Sequence, residues 1–221
     1  MTATRTATTS TPLHPLLADR WSPRAFDPSA RLTGLQVTAL LEAARWAPSA
    51  ANSQPWRFLL APRGSADFEH IFATLAPGNQ AWADAASALV MVAAATTDDV
   101  GNASPWALYD TGQAVAHLST QASHEGLSIH QLGGFDASAV VEAFGLDATL
   151  TPVVVLAIGV RGASPDCPSR SLRARPLHAP GFPLSTSCSR PRPRRTTTRT
   201  CWPGAPDDSR LPTPDSRLPT P

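Results

Sequence analysis

At 221 residues, the chain is long enough for one domain with a sizeable core and too short for two comfortable ones. Its net charge of +1 hides a break: residues 1–160 carry seven Arg against 13 Asp and Glu, whereas residues 161–221 carry 11 Arg against four Asp, and there is no Lys anywhere. All three Cys and 13 of the 23 Pro lie beyond Val160, and no Val, Ile, Met, Tyr or Glu does, which excludes thiol chemistry from the body and a substantial core from the tail.

These shifts divide the chain into a disordered leader over residues 1–12, a folded domain over 13–160 and a Pro/Arg-rich, disordered tail over 161–221. The Thr-rich start has no apolar stretch of the kind an export signal needs. The longest apolar run, residues 85–95, is too short to span a bilayer. A cytoplasmic protein without membrane contact is expected.

Within the domain, Leu16-Leu17-Ala18-Asp19-Arg20 predicts a short helix that stops at Ser22-Pro23. The first strong helix is predicted over residues 34–47, with Thr33 as cap and Gln36 three residues on, a capping box, and with Val37, Leu40, Leu41 and Ala44 on its buried face. Pro48 ends it. Residues 56–60 alternate and predict a strand. Ser65 caps a second helix with Phe68, Ile71, Phe72 and Leu75 on one face. The wholly apolar residues 89–94 predict a central strand. Pro105 opens a long helix up to Gly126, with Leu108, Gly112, Val115, Leu118 and Ala122 on one face. A strand over 127–131, a helix from the cap Asp136 to Phe144 stopped by Gly145, and a last strand over 153–158 complete the domain. Helices outnumber strands without a regular βαβ alternation, so the fold class is α+β. No glycine-rich fingerprint follows a strand, so any dinucleotide is held outside a Rossmann pocket.

Two patches carry candidate chemistry. In Arg20-Trp21-Ser22-Pro23-Arg24-Ala25-Phe26, extended geometry places Arg20, Ser22 and Arg24 on one side, three donors suited to a phosphate; a solvated basic turn is the alternative. In Ala47-Pro48-Ser49-Ala50-Ala51-Asn52-Ser53-Gln54-Pro55-Trp56, a Pro-bounded loop presents hydroxyl and amide groups suited to the polar edge of a planar heterocycle; an ordinary capped loop with Trp56 in the core is the alternative. His117 and His124 lack a third ligand, so no metal site is expected.

Arg-x-Ser-x-Arg-x-Phe, a helix, and then Ala-Pro-Ser-x-x-Asn-x-Gln-Pro-Trp-x-Phe resemble the two N-terminal signatures of the nitroreductase family. Gly78-Asn79-Gln80-Ala81-Trp82, Tyr109-Asp110-x-Gly112, Gly126-Leu127 and Gln131-Leu132-Gly133-Gly134-Phe135-Asp136 follow in the family's order. The resemblance implies a mostly antiparallel central sheet surrounded by helices, in an intertwined homodimer with FMN at the interface. It implies that Arg20, Trp21, Ser22 and Arg24 hold the FMN phosphate and ribityl chain. Pro48, Ser49, Ala50 and Asn52 would reach the partner's flavin, Asn79 would bond the pyrimidine side, Trp82 would also belong to the cofactor site, and Gln131, Leu132, Gly133 and Gly134 would line the ring edge. Trp82 stands where some relatives carry Lys, and a backbone N–H near Gly133 would face the hydride-accepting nitrogen. The implied activity is transfer of hydride from NAD(P)H, through the flavin, to a nitroaromatic or quinone-type acceptor by ping-pong kinetics. No side chain is assigned as catalytic; His130 is read as structural rather than as a proton donor. The alternatives are a same-fold flavoprotein with other chemistry, such as reductive dehalogenation or flavin fragmentation, and an inactive product altered at its C-terminus.

The tail matches nothing in the family. Residues 208–214 recur verbatim as 215–221. A shift of reading frame near Pro165 in GC-rich DNA accounts for the compositional break; a genuine basic tail for nucleic acid or acidic surfaces is the rival reading.

Overall fold

The computed structural model describes residues 6–98 and 100–162. The expected tail, from residue 163 on, lies outside the described residues, as do residues 1–5 of the leader. Four strands form one antiparallel sheet in the order β1-β2-β4-β3: β1 is Trp56–Pro62, β2 Ala88–Ala95, β3 Ser128–Leu132 and β4 Leu150–Gly159. β2 has neighbours on both sides and helices on both faces. This explains why every one of its side chains is apolar.

Alternation along the strands sorts the core into two layers. Leu89, Met91 and Ala93 of β2, with Val155 and Ala157 of β4, meet α3 (Ala66–Ala73), α4 (Pro77–Ala83) and α6 (Ala137–Phe144) through Phe68, Ile71, Ala83 and Val140. Val90, Val92, Leu156 and Ile158 point the other way, to Leu40 and Ala44 of α2 (Gly34–Arg45) and to Val115, Leu118 and Ala122 of α5 (Ala107–His124). Burying a Val or Leu side chain stabilises the fold by about 1.5–3 kcal/mol. The short α1 (Pro15–Ala18) packs against α5. The sheet is bulged where Val92 faces Val154 but Ala93 faces Pro152. Pro152 is tolerated because β3 accompanies β4 only from Val155 onward, so no ladder bond on that side needs its missing N–H.

Several elements follow the sequence closely. Thr33 and Gln36 close the capping box, and Asp136 caps α6, which stops at Gly145 with φ +56°. Other expectations need correction. α4 has no counterpart in the periodicity, because its seven residues are too few to show an apolar face; only Pro77 at its start marks it. α5 begins at Ala107 rather than Pro105, and its buried face is rotated. Ala107, Thr111, Ala114, Val115, Leu118 and Ala122 point inward, while Leu108 is 53% exposed and Gly112 is exposed. A stripe made largely of Ala gives a weak directional signal, and the larger Leu108 misled it. α1 ends at Ala18, leaving Arg20 outside the helix, and β3 sits one residue later than expected.

Beyond β4 the chain pairs with the N-terminal segment. Asp27 N–H donates to Val160 O at 2.9 Å and Gly162 N–H to Ala25 O at 3.1 Å, around a Phe26–Arg161 bridge. A Cβ on Gly162 would lie 2.7 Å from Phe26 O, so only glycine fits this crossing. Among the described residues no helix is long and apolar enough to cross a membrane.

Candidate cofactor site

The arginine segment crosses the end of the sheet beside β3. Pro23 is buried, and its carbonyl oxygen lies 2.8 Å from His130 Nδ1. A carbonyl can only accept, so Nδ1 carries the proton and Nε2 is left as an acceptor in the neutral ring. The His130 ring packs 4.6 Å from Trp82, and Trp82 lies 6.2 Å from Phe26. Burial holds His130 below its ordinary value of 6.5, and the nearby Arg24 charge acts in the same direction, against the bonds to the backbone of Pro23 and Ser22. His130 is therefore neutral at pH 7. Trp82 Nε1 is buried without a hydrogen-bond partner among the described residues.

One strand-end away, the loop after β3 is clipped to the start of α4. Gly134 O accepts from Ala76 N and from Asn79 Nδ2, both at 2.9 Å. The amide of Asn79 is thereby oriented, and among the described residues its oxygen has no hydrogen-bond donor. Space differs between the two glycines. A Cβ on Gly134 would meet Asn79 Nδ2 at 2.9 Å, whereas one on Gly133 would meet nothing within 4 Å. Gly133 thus presents bare backbone to open space.

The remaining predicted residues of β3 face different ways. Leu132 is only 2% exposed and belongs to the core, so its backbone alone is available to a ligand. Gln131 points toward α5, where its Nε2 approaches Ser119 Oγ at 3.5 Å. Arg20 and Arg24 are exposed, and among the described residues neither pairs with a carboxylate. On the α5 side of β3 a cavity of about 220 Å³ is lined by Arg20, Trp21, Ser119, Ser123, Ser128 and Arg161, among others. Asn79, Trp82 and Gly133 do not line it.

The serine–asparagine loop sits apart. Pro48, Ala50 and Asn52 are exposed and Ser49 is half-buried. Ser49 Oγ accepts from Gln54 N at 3.0 Å, and Asn52 Oδ1 from Gln54 Nε2 at 3.0 Å. Ala51, Asn52 and Gln54 all have left-handed backbone, with φ of 49°, 56° and 46°. For a residue with a side chain this costs roughly 1 kcal/mol or more each. Among the described residues no hydrogen bond or ring contact joins this loop to residues 20–24, 79–82 or 130–134. Among the described residues, then, hydrogen bonds and ring contacts join three of the four predicted segments and leave out the fourth. Sequence reasoning gave no role to Asp110, whose carboxyl reaches Ala50 N at 3.0 Å. An acid on the buried face of a helix, among mostly apolar residues, was the available signal. It also gave no role to the packing of His130 against Trp82.

Comparison with known proteins places this arrangement. The family model described as "Nitroreductase family" matches residues 17–75 and 62–160. YdgI of Bacillus subtilis (strain 168), which bears the name of an NAD(P)H nitroreductase, is 28% identical over 187 residues, 65% of this chain and 86% of that protein. A solved structure described as "the oxidoreductase containing FMN" is 35% identical, covers 74% of this chain and 84% of that one, and superposes with a TM-score of 0.68. A structure from Exiguobacterium sibiricum 255-15, solved in complex with FMN, is 25% identical with a TM-score of 0.59 and covers 73% of this chain and 92% of that one. Fold and matches together define an α+β oxidoreductase with a helix-covered antiparallel sheet. The chain belongs to the nitroreductase family.

Proposed function

We propose that the protein is an FMN-dependent oxidoreductase that takes hydride from NAD(P)H and reduces electron-poor acceptors such as nitroaromatics or quinones. The observation that carries this is the meeting of three distant segments: Pro23 on His130 at 2.8 Å, His130 on Trp82 at 4.6 Å and Asn79 on Gly134 at 2.9 Å. The donor set suits FMN. Arg20, Ser22 and Arg24, beside Trp21, offer two guanidinium forks and a hydroxyl to a phosphate, with no competing carboxylate pair among the described residues. The oxygen of Asn79 is left for a ring N–H, and the open backbone at Gly133 admits a flat edge that any side chain would block.

FMN, when bound, supplies the two-electron chemistry. The residues around it position and shield. Trp82 and Phe26 form an apolar floor, neutral His130 keeps a positive charge out of the floor, and Gln131 to Gly134 supply backbone along one edge. Pro48, Ser49, Ala50 and Asn52, apart from the other segments in one chain, would complete the site from a second copy, which makes the active form a homodimer. A single pocket serving donor and acceptor in turn gives ping-pong kinetics. The cytoplasm, where NAD(P)H is regenerated, is the compartment this reading calls for.

The test is the absorbance spectrum of the purified full chain, followed by NAD(P)H oxidation with a nitroaromatic. Yellow protein that turns over supports the proposal. Colourless protein that takes up no added FMN refutes it.

A further inference from the structure

Asp110 is the one buried carboxyl group among the described residues, with 4% of its surface exposed. It stands in the first turn of α5, and its Oδ2 accepts the Ala50 N–H from a loop sixty residues earlier in the chain. That loop holds three left-handed residues within four positions, Ala51, Asn52 and Gln54, none of them glycine. Backbone of this kind persists only where its surroundings fix it. The other hydrogen bonds of residues 49–54 run within the loop or to the neighbouring Arg57. Among the described residues, Asp110 alone bonds the loop to a distant element.

We propose that Asp110 is a positioning residue: from the first turn of α5 its carboxyl group holds the Ala50 amide, and so sets the loop in the shape that presents Ser49 and Asn52 to the flavin. The assignment rests on the flavin reading above. It gives the acid in Tyr109-Asp110-x-Gly112 a task exerted through the loop backbone that its side chain holds.

The experiment uses the full chain and two readouts, FMN titration followed by flavin fluorescence and deuterium exchange at the Ala50 amide. Asp110→Ala removes the acceptor. It is expected to raise the FMN Kd about tenfold and to speed Ala50 exchange about as much, as befits loss of one buried hydrogen bond. Asp110→Asn keeps an acceptor oxygen, but a weaker one, and shifts both by about two- to threefold. Adding Ala51→Gly to Asp110→Ala makes one left-handed position cheap and recovers part of the affinity. An Asp110→Ala chain that binds FMN like the parent, or keeps its Ala50 protection, overturns the proposal. Should that variant fail to fold, Asp110→Asn decides: the weaker amide acceptor speeds Ala50 exchange about two- to threefold, and unchanged exchange overturns the clamp. A parent chain that takes up no FMN refutes the flavin reading instead, and Ala50 exchange then still decides whether the clamp exists.

Discussion

Gly133 and Gly134 are adjacent, yet alanine should have opposite effects at the two. At Gly134 the new Cβ would lie 2.9 Å from Asn79 Nδ2 and 3.4 Å from Ala76 Cβ. Relief requires Asn79 to swing away, breaking its bond to Gly134 O. The lost bond costs about 1 kcal/mol and the crowding about another, less roughly 0.5 kcal/mol from a stiffer unfolded chain, so Gly134→Ala loses about 1–2 kcal/mol. At Gly133 nothing lies within 4 Å and φ is not positive, so only the unfolded-state term remains. Gly133→Ala should be about 0.4–1 kcal/mol more stable than the parent. If the flavin edge lies against Gly133, the same methyl group overpacks the complex by about 1–3 kcal/mol, which weakens FMN about 5- to 150-fold. Urea unfolding followed by circular dichroism and FMN titration by fluorescence separate the two effects. A Gly133→Ala chain that is stable and binds FMN like the parent refutes the placement of the flavin. A Gly134→Ala chain as stable as Gly133→Ala refutes the described contact with Asn79.

Three further outcomes are expected. Arg24→Gln should weaken FMN about tenfold or more and flatten the salt dependence of binding, measured by titration at several ionic strengths; an unchanged Kd would take Arg24 out of the phosphate site. His130 has a folded value below its unfolded 6.5, so the unfolded chain binds the proton more readily. The stability this group safeguards is present above about pH 6.5 and is lost as pH falls through the lowered value, so Tm should drop as pH falls below about 6.5. His130→Gln should remove that part of the slope, while Asp27, Asp98, Asp147 and Glu42, also held below their ordinary values, act at lower pH. Identical pH profiles of Tm for the variant and the parent would dismiss the His130 contribution. Leu156→Ala, at a fully buried position of β4, should cost about 2–5 kcal/mol in urea unfolding, and a loss under 1 kcal/mol would contradict the two-layer core.

The fold was legible where local chemistry and tertiary burial agree. Thr33 and Gln36 announce α2, Asp136 and Gly145 bracket α6, and the unbroken apolar run of β2 declares a strand covered on both faces. It was illegible where packing, not pattern, chooses. α4 is too short for a period, and in α5 alanines on several sides left the inward face to be fixed by what α2 and the sheet offer. At the site, residue types and order pointed to the arginine segment, Asn79 and the Gly133-Gly134 turn, but no spacing rule brings residue 23 to residue 130 or residue 50 to residue 110. Those contacts exist only once the sheet is assembled. Leu132 shows the converse: its place in the motif suggested a ligand contact, while strand alternation turned its side chain into the core.

The crossing of Gly162 over Phe26 has a practical corollary. Because a methyl group at residue 162 would collide with a carbonyl oxygen at 2.7 Å, that position tolerates no other amino acid without moving the stretch that bears Arg24. A shortened version for crystallography should therefore retain Arg161 and Gly162, and an appended tag or fusion joint belongs downstream of them.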